Sequence, residues 1–188
     1  MKIKSMAGIL VATVGIVGAA HPSVAQEKGK TAAAELTSES QSALQRLYAS
    51  EPLAKALGEK ALAILVFPGV KKAGLGIGGQ YGEGTLLKNG TADSYYKTTG
   101  ASFGLQAGAQ EYGYAMFFMN AKALQVFSSA SGFEVGVGPS VVVMDEGKAK
   151  TATTNTMKDD IYDFVFSQKG LMAGLGIKGN KITKITPK

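Results

Sequence analysis

Gly74, Gly76 and Gly78 take alternate positions in the run Ala73-Gly74-Leu75-Gly76-Ile77-Gly78-Gly79, and the first five residues recur verbatim as Ala173-Gly174-Leu175-Gly176-Ile177. Side chains on a strand alternate between its two faces. Alternate glycines therefore leave one face bare, while Leu75 and Ile77 keep the other apolar. A bare face admits another backbone, a ring or a ligand, and lets a sheet bend sharply. Twelve of the 25 glycines fall between Gly69 and Gly113, so the enrichment is local. It predicts a tightly curved, β-rich body and names no activity.

The N-terminus limits the chemistry. Lys2 and Lys4 precede an uncharged apolar run from Met6 to Ala20, and Ser23-Val24-Ala25 has the small-x-small form of a cleavage site. Residues 1–25 read as a secretory signal peptide with Gln26 as the first mature residue. The apolar run is shorter than the roughly 20 residues a spanning helix needs. The single histidine, His21, leaves with it, and the chain has no Cys and no Trp. The expected mature protein then has no means to build Ser-His-Asp or Cys-His catalysis, disulfides, or zinc sites of His and Cys. What remains is the length of a single domain. The formal charge of +6 is modest, and two of its lysines lie in the segment expected to be removed. A small positive excess suits an ordinary solvated surface as well as an anionic membrane.

Residues 26–34 are rich in Lys, Ala and Gly and read as a flexible leader to a single domain at 35–188. Ser38 and Gln41 have capping-box spacing. Leu36, Ser40, Ala43, Leu44, Leu47 and Tyr48 then follow helical periodicity. A second helix is expected to start at Ser50, with Pro52 in its first turn. Beyond it the pattern turns to strand. Ala61–Phe67 is a continuous apolar run broken by Pro68-Gly69, and short strands follow at 73–80, 85–87, 94–97, 102–109 and 114–119, with an Asn89-Gly90 turn. A short helix is expected at 120–128, then strands at 135–144, 161–166, 171–177 and 181–185, with turns at 145–147 and 169–170. The fold class predicted is α+β: a strongly curved antiparallel sheet or partly closed barrel, with N-terminal helices and one short internal helix.

Several motifs have plainer explanations than function. Gly74-x-Gly76-x-x-Gly79 matches a dinucleotide fingerprint, but the residues after it read as strand and turn, with no helix N-terminus for a pyrophosphate. Asp159, Asp160 and Asp163 are the residue type of glycosidase and calcium sites. Only two of them share a strand face, however, and no metal loop surrounds them, so a solvated strand edge is expected. Met116-Phe117-Phe118-Met119 fits a buried central strand. The lysines are more suggestive: Lys71 and Lys72 are placed at a turn before the glycine strand, and the last twenty residues, which carry Lys169, Lys178, Lys181, Lys184 and Lys188, hold no acidic side chain. Such groups protect strand edges or meet anionic headgroups.

Five ordered pieces resemble the SYLF domain family: Lys60–Phe67; Lys72-Ala73-Gly74 with Gly78–Gly84; Ser102–Ala109; Val135–Pro139; and Ser167–Gly174. The likeness spans about Leu44 to Ile185. It implies lipid binding, in particular of phosphoinositide-type anionic headgroups, partly through an N-terminal amphipathic helix; some eukaryotic relatives bind actin. It carries no catalytic motif. An exported chain makes actin an improbable partner and moves the expected ligands to anionic bacterial lipids.

The expectation is thus a non-catalytic module, periplasmic or secreted, that recognises anionic phospholipid headgroups at a membrane surface. Arg46, Lys55, Lys71 and Lys72 would meet phosphates, and Leu44, Leu47 and Tyr48 would face the bilayer. No cofactor, metal or nucleic acid is expected. The alternative is an envelope protein that binds another protein through a sheet edge.

Overall fold

The computed structural model describes residues 24–129, 132–144, 158–170 and 179–188, and the side chains of all of these but 24–26, 76, 102–107 and 170. The expected signal segment up to residue 23, the turn at 145–147 and the strand at 171–177 lie outside the described residues.

Two long strands dominate. β1 (Ala63–Lys88) and β2 (Thr91–Phe118) pair antiparallel along their length. Lys88 stands opposite Thr91, and Asn89 and Gly90 fill the turn at φ 51° and 77°, the left-handed values a two-residue hairpin turn requires. The several short strands expected here are two continuous arms. Pro68-Gly69 does not end β1; it is absorbed in a register shift between Phe67 and Val70, because a bulge adds a residue without breaking the ladder.

The hairpin folds back on itself at the glycines. A Cβ on Gly74 would fall on Gly78 Cα and lie 2.6 Å from the Ile77 carbonyl oxygen. A Cβ on Gly84 would fall on the Val66 carbonyl oxygen, 2.6 Å from the Phe67 ring, and one on Gly82 would lie 2.9 Å from the Val70 side chain. The backbone that the bare face was expected to admit is β1's own. The two halves of the strand cross at distances only glycine permits, and residues 74–78 form the corner.

Around this hairpin, among the described residues, a six-stranded sheet runs β3-β6-β2-β5-β4, with β1 on β2. β3 is Phe133–Glu134, β4 Val141–Met144, β5 Ile161–Gly170 and β6 Lys181–Ile185. β5 and β6 lie antiparallel to different stretches of β2, while β4 runs parallel to β5. The sheet curls into a half-barrel. The strand expected at 135–144 is reduced to β4, since Gly136 and Gly138 sit at φ 96° and 95°. Lys169-Gly170, expected as a turn, continues β5.

Alternation divides the core in two. Leu65, Phe67, Leu86, Tyr96, Tyr112, Tyr114, Met116 and Phe118 fill the inside of the curl. α3 (Ala121–Ser129) closes that side: Phe127 meets Tyr96 and Phe118 at ring-centroid distances of 4.8 Å and Phe133 at 5.4 Å. The Asn120 carboxamide oxygen caps α3 by accepting from the Ala123 amide at 2.9 Å. Ile64, Val66, Ala115, Phe117, Phe164 and Phe166 point to the other face, where the N-terminal helices pack.

α1 (Val24–Ser50) has 27 residues, about 40 Å of helix, and α2 (Pro52–Gly58) follows it. The flexible leader expected at 26–34 is instead the opening of α1, in keeping with the helix propensity of its alanines and lysines. Ser38, expected as an N-cap, is therefore mid-helix. Ser40 Oγ donates to the Val66 carbonyl at 3.3 Å and lies 3.1 Å from Thr85 Oγ1, which fastens α1 to both halves of the folded β1. Among the described residues no helix is long and apolar enough to cross a membrane.

Candidate functional site

The corner exposes what the glycines expose. Beyond the bulge at Pro68-Gly69, Val70, Lys72, Gln80 and Gly82 of β1 turn inward, while Lys71, Ala73, Leu75, Ile77 and Tyr81 form one solvent-facing stripe. Leu75 is 82% and Ile77 69% exposed. Both are large aliphatic side chains, and they are more open to solvent than Tyr81 of the same stripe, which is 49% exposed. The tight approach of Gly74 to Gly78 sets both at the tip of the corner.

Lys71 and Tyr81, on either side of that tip, also line a cleft of about 700 Å³ between β1 and α1. Leu36, Ser38 and Arg46 come from α1, and Gly69 forms part of the floor. Glu39, Glu83 and Glu111 line it as well. Glu111 is the cross-strand partner of Lys71. The Tyr81 hydroxyl donates to Glu83; that hydrogen bond, together with burial and the nearby charge, pushes its pKa up to about 12. Among the described residues the lining thus carries two cations and three carboxylates. Opposite charges facing each other across a strand pair attract, so Lys71 meets any incoming phosphate beside Glu111.

The expected headgroup set divides accordingly. Arg46 and Lys71 share the cleft. Lys55 is exposed on α2 and does not line it. Lys72 is only 2% exposed. The expectation that Lys71-Lys72 act together fails because the pair lies within a strand, not at a turn, and adjacent strand residues point to opposite faces. Lys72 turns inward with Val70.

The expected membrane-facing stripe of α1 is corrected likewise. Leu47 is 0% exposed, and with Leu44 it packs against the sheet among Ile64, Val66 and Phe117. Tyr48 is half-buried, with its ring 6.4 Å from Phe117, and burial followed by the Glu59 charge raises its pKa to about 12. The helical period was right; the apolar face is taken up by the protein's own sheet. The sequence signal for the exposed tip was Leu75 and Ile77 between glycines, with Lys71 upstream. Strand alternation alone assigns those two residues only to an apolar face.

The three aspartates separate. Asp160 accepts from the Ser140 amide at 2.9 Å and from Asn120 Nδ2 at 2.7 Å; these bonds, the Ser140 amide first, hold its pKa below the usual carboxylate range. Asp159 flanks the Tyr162 hydroxyl. Asp163, expected on a solvated edge, is fully buried on the same strand face as Ile161, and Tyr114 donates to it at 2.8 Å. A second polar knot lies nearer the corner: Tyr112 donates to Gln80 Oε1 at 3.0 Å, and Gln80 Nε2 donates to Asn180.

Residues 99–186 match the protein family described as Ysc84, Las17-binding protein actin regulator. No curated protein matches the chain. The matched span runs from within β2 through β6. It does not include α1, α2, β1 or the exposed tip.

Proposed function

We propose, for a chain that is a member of the SYLF domain family over residues 99–186, that it is a non-catalytic lipid-binding module that docks at anionic membrane surfaces. The observation that carries this is the pair Leu75 and Ile77, open to solvent at the tip of the glycine corner with Lys71 four residues away. Apolar side chains at the boundary of headgroups and acyl chains gain by burial, and a nearby cation gains about 1 kcal/mol from an anionic leaflet. Lys71 trails the tip by at most about 13 Å of extended chain, which is a reach to headgroup depth. Arg46 sits behind it across the cleft. Glu39, Glu83 and Glu111 weaken the pull, so apolar contact contributes more here than in a purely basic site. The N-terminal sequence pattern supports export, and the membrane would then be met from the periplasmic or outer side.

The test is co-sedimentation with liposomes, using protein purified from cells expressing the full chain in the processed form that accumulates. Vesicles containing phosphatidylglycerol should bind and pure phosphatidylcholine should bind less. Lys71→Glu should weaken binding by about 1 to 2 kcal/mol at low salt, and 1 M salt, with a Debye length of about 3 Å, should erase that difference. Equal binding to both vesicles would reject the anionic preference.

A second reading rests on the sheet edge: among the described residues β1 pairs with β2 alone, and an edge of this kind accepts a partner's strand. The family's description as an actin regulator that binds Las17 makes a protein partner the natural competitor. Retention of an envelope protein by immobilised chain, with no liposome binding, would favour it.

A further inference from the structure

At the far end of α1 from the α2 junction, the helix's opening turns and the chain's last residues line a second open cavity of about 760 Å³. Its walls are Tyr95 from β2, Ile185 at the end of β6, Pro187 from the tail, and Ala33 from α1. Lys28, Lys30 and Lys188 stand around it, all exposed, and among the described residues no acidic side chain is in its lining. A Cβ on Gly29 would lie 3.2 Å from the Pro187 carbonyl oxygen, so helix and tail are in close approach. The Tyr95 hydroxyl lies 3.0 Å from Thr37 Oγ1, which satisfies its polar end and leaves the ring as an apolar wall.

This combination has a specific chemical complement. The volume falls within the roughly 300–1,000 Å³ of small-molecule sites. Lysine stems cover apolar surface and keep their ammonium groups at the water boundary, so an apolar trough ringed by lysines suits a molecule with an alkyl chain and an anionic head. The cleft at the corner, with its three carboxylates, does not. We propose that this cavity binds one long-chain fatty acid, its alkyl chain along Tyr95, Ile185 and Pro187 and its carboxylate between Lys28, Lys30 and Lys188. The site is separate from the corner and does not rest on the membrane reading.

The test is displacement of the fluorescent fatty acid cis-parinarate by palmitate, below its aggregation concentration, on delipidated protein from cells expressing the full chain. Saturable binding at one palmitate per chain is expected. Hexadecanol, which has the same chain without the charge, should compete at least about ten-fold more weakly. Lys28→Glu/Lys30→Glu/Lys188→Glu changes only exposed groups; it should keep the wild-type melt and lose about ten-fold or more in palmitate affinity. Ala33→Trp, which fills the trough, should abolish binding. Leu75→Ser/Ile77→Ser should bind palmitate like wild type, so failure here is separable from failure of membrane docking. Absence of saturable binding, hexadecanol equal to palmitate, or full affinity in the triple lysine variant would overturn the proposal. So would a short-chain phosphatidylglycerol that competes as well as palmitate, since that would assign the cavity to a phosphate-headed lipid.

Discussion

Gly84 stands where a Cβ would strike the Val66 carbonyl oxygen, and this backbone contact leaves little to yield. Gly84→Ala should therefore destabilise by about 2 kcal/mol or more. Gly90, at φ 77° with nothing within 4 Å of where a Cβ would stand, should cost only about 1 kcal/mol on the same change, from backbone strain alone. Thermal melts of the two variants check the order. Asp163 makes a different kind of prediction. Burial pushes its pKa up to about 8 against the opposing pull of the Tyr114 hydrogen bond, while an unfolded chain would release that proton near about 3.9. Between roughly pH 4 and 8 the native state holds a proton the unfolded state has lost, so this residue's contribution to stability falls as pH rises through that window and is level above it. Asp163→Asn should flatten the profile, gaining on wild type between about pH 5 and pH 8 in denaturant melts; parallel profiles would contradict the assignment. Among the described residues Asp163 Oδ1 has no hydrogen-bond partner, which adds to what the charged form would lose.

Elements show where sequence pattern is a sufficient guide and where it is not. The Asn-Gly turn, the Pro52 start of α2, the short helix after Asn120 and the bend at the glycines were all legible, because each depends on local backbone preference. The apolar period of α1 was legible too, but period alone does not say whether a helix covers a sheet or a bilayer. Ser40 and Thr85, which bind α1 to the folded β1, settle that only in three dimensions. The Lys71-Lys72 pair failed for the same reason: whether the chain turns or continues after Pro68-Gly69 decides which face each lysine takes, and a bulge that preserves pairing leaves no local mark. The inward burial of Asp163 depends on β4 and β2 flanking β5, a long-range arrangement. Since α1 packs inward, Leu47→Ala should act as a core truncation, destabilising by about 2–5 kcal/mol in chemical denaturation. At temperatures where the variant is folded, its liposome binding should match wild type.

At the scale of the molecule, the α+β half-barrel is one long hairpin folded over its own glycines, with helices on its outer face and α3 closing the inner one. The fold that the glycines make possible also decides which residues are left outside. A corner this tight cannot bury the side chains at its tip, and those side chains are Leu75 and Ile77. In the proposed reading the apolar contact expected from α1 passes to the corner, and the proposed membrane docking depends on that transfer. The most direct measurement is co-sedimentation of Leu75→Ser/Ile77→Ser with phosphatidylglycerol liposomes beside its thermal melt. Both side chains are exposed, so the melt should match wild type, while binding falls at least about ten-fold. A well-folded double variant that sediments as wild type does would contradict the central claim.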